Sequence, residues 1–501
     1  MNKTEIIETE SGKIQGYIQD KLQIFKGIPF AEPPIGALRF QPPVKKKAWD
    51  NIFKATEYGS YAFQGFSPLQ VGQEIQESED CLTLNVWTPA TDNKKRPVMV
   101  WIHGGAFVTG GGVSPLYDGS TLASRGDVVI VTINYRLGAF GFLYIPGVTA
   151  NVGMLDQITA LKWVNKNIEA FGGDPNNITI FGESAGGASA LTLIAMPAAK
   201  GLFNRIIAQS APILQPNPTI KSTNDLMNKL NLKVGDIEAL QKLKPKEIIT
   251  AQNKVLAEVM EKGESELMDF RPSIDVESGT VPIHPLEAIK NGEAKGIDLL
   301  IGCTEEEAKL FTSFDPNLKN LNAEKLEAAV ANRLRSMNLE KESDSLIQAY
   351  ENARKNLLPI KPIDLFNAII TDYMFRISDI HMTEAQGTYN PNVYFYIFTW
   401  PSPMLKGACH AVELPFVFGT LGLPGMDLFF GKGPEAEILN EKMMDAWIAF
   451  ARNGNPNSSN IPEWPSYDKE KRATMLIGKE FKVVNAPFEK ERVAWDGLLE
   501  Y

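Results

Sequence analysis

Short runs rich in β-branched and aromatic residues recur at 98–102, 128–135, 178–181, 205–208, 298–301 and 393–398. Each is too short for a typical helix, and each is apolar on both of its alternating faces, which predicts a strand buried in the middle of a sheet. Between the second and third runs, Met154, Ile158, Leu161, Val164 and Ile168 fall at helical spacing, and Gly172, Gly173 and Pro175 end the pattern. Strands alternating with amphipathic helices predict an α/β fold: a large, mostly parallel sheet flanked by helices, with ligands beyond the carboxyl ends of the strands. Residues 221–265 and 321–357, rich in Lys, Glu, Leu and Ala, predict helical excursions outside the sheet that form a lid region. No repeat or Pro/Gly/Ser-rich linker divides the chain, so residues 1–501 are expected to form a single domain.

Composition narrows the partners. With 60 acidic and 50 basic residues the formal charge is −10, a field that repels phosphate backbones and disfavours nucleic acid. The longest apolar stretch, 128–148, is broken by Asn134, Arg136 and glycines, so it reads as strand plus loop rather than a membrane span. The first twelve residues are polar and acidic and lack the order of an export signal. Cys81, Cys303 and Cys409 are the only cysteines, too few for a disulfide framework, and the expected setting is a reducing cytoplasm. Assembly is expected to stop at the monomer.

The third predicted strand runs into Gly182-Glu183-Ser184-Ala185-Gly186 and then an Ala/Leu-rich stretch. A serine on a tight turn between strand and helix projects its hydroxyl into a cleft, and the new helix supplies free N–H groups and a positive dipole end. That arrangement suits a nucleophile of acyl transfer. Upstream, the strand at 98–102 enters His103-Gly104-Gly105-Ala106-Phe107, where small residues let the backbone approach a tetrahedral oxyanion. The N–H groups of Gly105, Ala106 and Ala185 are the expected donors. His103, fixed inside that loop, reads as structural, and His284 and His381 carry no motif.

A serine hydroxyl needs an imidazole to take its proton and a carboxylate to orient that imidazole. His410 follows the strand at 393–398 and lies downstream of the serine, which makes it the expected base. The acid is expected after the strand at 298–301, where Glu305, Glu306 and Glu307 stand in a row; spacing does not choose among them. No metal or cofactor is required, and no metal-ligand spacing is evident. Phe107 and Phe311, close to these motifs, are expected acyl-pocket walls.

At these residues the chain resembles the type B carboxylesterases. The likeness runs from Gly12 to about Tyr467 through Lys26-Gly27-Ile28-Pro29-Phe30-Ala31-Glu32-Pro33-Pro34, Ser78-Glu79-Asp80-Cys81-Leu82, Asn134-Tyr135-Arg136, Phe171-Gly172-Gly173-Asp174-Pro175 and Phe416-Val417-Phe418-Gly419. The segment from His410 to Phe416 is most similar to bacterial para-nitrobenzyl esterases. The resemblance implies the α/β-hydrolase fold and hydrolysis of small to medium carboxylic esters through an acyl-enzyme. It also implies Glu307 as the acid, ion pairs of Arg39 with Glu79 and of Arg136 with Asp156, and Glu183 as a cleft-lining carboxylate held by hydrogen bonds.

This sequence departs from the family pattern in three places. Ala308 stands where the family has Gly, which is expected to shift the acid loop if that position needs positive φ. Ser210 is followed by Ala211 rather than Gly, so the second serine that supports the triad in relatives is expected to be missing. Cys81 has no upstream partner, so the loop after Ala62 is expected to be unclamped. Cys303 and Cys409 lie beside the expected acid and base, which places two thiols near one cleft, either open to bulky reagents or buried and inert. The competing functional readings are an amide-, thioester- or polymer-directed hydrolase with the same triad, and a non-catalytic interaction module.

Overall fold

The computed structural model describes residues 2–65, 76–212, 220–261 and 270–499. Ten strands carry the architecture: β1 (Leu22–Pro29), β2 (Thr83–Thr88), β3 (Arg96–Ile102), β4 (Val129–Ile133), β5 (Gly173–Glu183), β6 (Arg205–Gln209), β7 (Asp298–Thr304), β8 (Val393–Phe398), β9 (Ala473–Ile477) and β10 (Phe481–Asn485). They pair in the order β1-β2-β4-β3-β5-β6-β7-β8-β9-β10, and two short strands extend the β1 edge. From β4 to β9 every pairing is parallel; β1, β2 and β10 run antiparallel.

The period-two rule divides the strand residues between two cores. Val98, Val100, Ile102, Ile178, Ile180, Ile206, Leu299, Ile301, Phe395 and Ile397 face one side. Met99, Trp101, Phe181, Ile207, Leu300, Tyr394, Tyr396 and Phe398 face the other. Helix Val152–Asn167 covers the first face with Met154, Ile158, Leu161 and Val164. Helix Pro434–Asn453 covers the second with Leu439, Met443, Trp447 and Phe450. Both faces are therefore dry, which is why these strands read as unbroken apolar runs.

All six predicted strands form. Strands β1, β2, β9 and β10, at the edges of the sheet, are not legible in the sequence. In β2, Asn85 and its neighbouring threonines interrupt the apolar pattern, and Asn85 is satisfied in the interior by the Gly27 N–H and the Thr132 hydroxyl, each at 2.9 Å. Helices Ile220–Lys229, Ile237–Lys242 and Pro245–Glu261 occupy the first expected excursion, whose residues 262–265 lie outside the described ones. Helices Ala323–Leu334 and Ser343–Arg354 occupy the second and form a core of their own with Leu365, Phe366, Ile369 and Trp495. Residues 66–75, in the loop after Ala62, also lie outside the description.

Both expected ion pairs form in the interior. Arg39 grips Glu79 at 2.5 and 2.7 Å. Arg136 donates from Nε and Nη2 to the two oxygens of Asp156 at 2.8 and 2.7 Å, with its own N–H adding a third bond. A buried pair is costly to break because the survivor stays charged and desolvated. Asp156→Asn is therefore expected to lower the urea unfolding free energy by about 3–5 kcal/mol. Glu8→Gln, which removes the exposed partner of Lys13, is expected to cost less than about 1 kcal/mol.

Candidate active site

Ser184 sits where β5 gives way to helix Ala185–Thr192, with φ 56° and ψ −123°, a conformation that a non-glycine residue holds only when its surroundings enforce it. The Ser184 N–H donates to the Gln209 carbonyl at 2.9 Å. Space explains the flanking glycines: a Cβ on Gly186 would stand 2.0 Å from the Ile102 carbonyl oxygen, and one on Gly182 would stand 2.5 Å from Gly186. The adjoining strand β3 ends in the loop of His103 to Phe107, where Gly105, Ala106 and Phe107 all have positive φ. Among the described residues no hydrogen bond takes up the N–H groups of Gly105, Ala106 or Ala185.

His103 is buried and stacks on Tyr135 at 4.4 Å, with Nδ1 2.8 Å from the Gly104 carbonyl. Burial pulls its pKa down to about 4, so the ring is neutral and structural. His284 caps helix Pro285–Lys290 by accepting the Leu286 N–H. Phe107, expected as a pocket wall, is fully buried with its ring 4.9 Å from Phe142 in an edge contact.

Strands β7 and β8 are neighbours, and their carboxyl ends bring Glu307 and His410 together. Glu307 is fully buried; Oε2 lies 2.5 Å from His410 Nδ1, and Oε1 accepts the Thr304 N–H at 2.6 Å. Glu306 instead pairs with Lys309 at 2.6 Å, and Glu305 is partly exposed. Of the three, Glu307 is the one whose carboxylate reaches the imidazole. Ala308 has φ −61° and its N–H donates to the Thr371 hydroxyl, so the expected shift of the acid loop does not arise. Ser210 is buried with φ 47°, and its hydroxyl has no hydrogen-bond partner among the described residues.

The other imidazole nitrogen, Nε2, lies 3.2 Å from Glu183 Oε1. Among the described residues the Glu183 side chain makes no hydrogen bond, so the hydrogen bonds expected to hold it are not found, and this contact with the imidazole is what meets it. The Ser184 hydroxyl makes no hydrogen bond among the described residues. Burial raises the pKa of Glu183 to about 7. For His410 burial acts downward, but the charges of Glu183 and Glu307 outweigh it and hold the imidazole at about 9.

Two rings pack against the imidazole: Phe311 at 5.1 Å and Phe375 at 5.0 Å, nearly parallel to each other at 6.4 Å. Sequence reading missed Phe375, which lies in a helix with no motif around it. It also passed over Glu413, whose Oε1 accepts from Gln209 and Tyr396 at 3.0 Å each. Cys303 and Cys409 are buried; burial pushes the Cys409 thiol up to about 12 and the Cys303 thiol well above its ordinary value. Both are inert thiols rather than reactive ones. Among the described residues no cluster of His, Cys, Asp and Glu could hold a metal ion, and no helix is long and apolar enough to cross a membrane.

Comparison with known proteins agrees with this geometry. The model of the carboxylesterase family matches residues 3–495. The para-nitrobenzyl esterase of Bacillus subtilis (strain 168) is 38% identical over 97% of this chain and 98% of its own. The phenmedipham hydrolase of Pseudarthrobacter oxydans is 35% identical over 95% of each. Among solved structures, a thermophilic para-nitrobenzyl esterase superposes with TM-score 0.87 at 36% identity, covering 99% of both chains. A Geobacillus stearothermophilus carboxylesterase gives 0.87 at 38% identity, over 98% of this chain and all of that one. With the α/β-hydrolase fold and near-complete coverage on both sides, the chain belongs to the carboxylesterase family and is a serine hydrolase of carboxylic esters.

Proposed function

We propose that Ser184 is the nucleophile, His410 the general base and later acid, and Glu307 the carboxylate that orients the imidazole. The observation that carries this reading is the buried 2.5 Å contact of Glu307 with His410 Nδ1. It fixes the tautomer with a proton on Nδ1 and leaves Nε2 facing the turn that bears Ser184. As Ser184 Oγ bonds to the ester carbonyl carbon, its proton passes to Nε2, and the carbonyl oxygen takes up the electron pair. The unused N–H groups of Gly105, Ala106 and Ala185 receive that oxyanion. Collapse of the adduct expels the alcohol, protonated by the imidazolium, and leaves an acyl-serine. Water then repeats the sequence and releases the acid.

The substrate class is small to medium carboxylic esters, read against the apolar wall of Phe311 and Phe375. The name of one relative supports an ester specificity of this kind: it is a para-nitrobenzyl esterase. Three unbridged cysteines support residence in a reducing cytoplasm.

Ser184→Ala is expected to lower kcat on p-nitrophenyl butyrate on the order of 10⁵–10⁶-fold, and Glu307→Gln on the order of 10⁴-fold, with the fold retained by circular dichroism. Peptide mapping after a fluorophosphonate label is expected to place the adduct on Ser184, and a label elsewhere would refute the assignment. In a panel of matched esters, thioesters and anilides, turnover is expected to be fastest on the esters; preference for anilides would move the enzyme to another class.

The pH dependence follows from the base. Only neutral His410 accepts the proton, and its pKa of about 9 lies above the ordinary 6.5. The rate kcat/KM is therefore expected to rise with pH past neutrality and to fall as the imidazole protonates. Glu183→Gln removes a charge that favours the imidazolium, so its acid limb is expected at lower pH than in the parent enzyme. An unmoved limb would show that Glu183 does not hold the imidazole pKa up.

A further inference from the structure

The helical run from Pro362 to Gly387 is not continuous: between helices Pro362–Thr371 and Ile377–Gly387 lies a π-helical turn, Asp372–Arg376. Such turns widen the helix by one residue, cost stability, and persist where the displaced side chains are used. Here the turn delivers two adjacent residues to two different tasks. Phe375 packs its ring 5.0 Å from His410 and lies parallel to Phe311. Arg376, 3% exposed, carries a buried guanidinium.

A buried guanidinium is tolerated only when it is partnered, and most of its partners come from a distant stretch of chain. Arg376 pairs with Asp372 of its own turn, while Nη2 lies 4.0 Å from Glu491 Oε2 and the guanidinium sits 4.4 Å over the Phe488 ring. Glu491 is further fixed by Arg354 at 3.1 Å. Asp372 receives the Tyr350 hydroxyl, whose oxygen in turn accepts the Trp495 indole N–H at 2.7 Å. Trp495 also stacks on Tyr373 at 6.2 Å. The π-turn is thus gripped by residues 488–495 on one side and presents Phe375 to the imidazole on the other.

We propose that the segment 488–495 is a positioning element of the active site, acting through Arg376 on the π-helical turn and hence on the place of Phe375 beside His410. Phe488 and Glu491 are positioning residues on this account: neither reaches the imidazole, yet both decide how closely the aromatic wall approaches it. Ester selectivity by size depends on that wall. The inference rests on the assignment of His410 and Ser184 made above.

The test compares Phe488→Leu, Glu491→Gln, Phe375→Leu and the double variant Phe375→Leu/Phe488→Leu on p-nitrophenyl esters from acetyl to octanoyl. The ratio of kcat/KM for octanoyl over acetyl is expected to change by about twofold to thirtyfold in both remote variants. The change is expected in the same direction as in Phe375→Leu, and the double variant is expected to match Phe375→Leu alone. A merely structural clamp would lower the unfolding midpoint and leave the ratio unmoved; that result, or shifts that add in the double variant, would overturn the proposal. Phe488→Leu keeps every charge in place and carries the test by itself if Glu491→Gln does not fold. Stoichiometric fluorophosphonate labelling at Ser184 in each variant separates the two questions, since a wrong triad would show as a missing label and a wrong coupling as an unchanged ratio on a labelled serine.

Discussion

A carboxylate with no solvent exposure, bonded to an imidazole with almost none, is the contact on which this molecule turns. Both oxygens of Glu307 are engaged in the interior, one by the Thr304 N–H and one by His410 Nδ1. Removing either partner would expose the cost of burying the other. The contact in turn demands that β7 and β8 be neighbours in register, since one strand end carries the acid and the loop after the other carries the imidazole. The His410 N–H donates back to the Glu307 carbonyl at 3.3 Å, so the backbones are tied as well as the side chains.

The same constraint explains what a sequence shows of such a site. Strands buried on both faces are written as apolar runs, and the elbow around Ser184 is written in glycines because a Cβ at Gly186 has nowhere to go. Those features follow from steric exclusion within a few residues, so a local reading finds them. The choice among Glu305, Glu306 and Glu307 depends on which side chain turns inward, and that is decided by Lys309 and Thr304 in a fold already formed. Family resemblance pointed to Glu307, the one of the three whose carboxylate reaches the imidazole, where spacing could not choose.

Other features were illegible for a related reason. Phe375 looks like any helical aromatic until the π-turn brings it against His410. The antiparallel strand β2 hides because its polar residues are satisfied by partners far along the chain, Gly27 and Thr132. In each case the deciding contact is long-range.

Behind the imidazole the electrostatics follow one arithmetic. Glu183, Glu307, Glu413 and Asp379 are all buried near one another, and four ionised carboxylates around one imidazolium would leave a net charge of about −3 in a medium that screens poorly. Burial resolves this by keeping the outer groups protonated: Glu413 is pushed up to about 8, and Asp379, neither of whose oxygens has a hydrogen-bond partner among the described residues, lies well above the usual carboxylate range. A neutral Glu413 donates its proton or accepts from Gln209 and Tyr396 without competing for the imidazole. Glu307 differs in that a backbone N–H meets one of its oxygens and the ring the other. That asymmetry, set by which carboxyl finds donors, leaves Glu307 and Glu183 as the two carboxylates that meet His410 directly, one at each ring nitrogen.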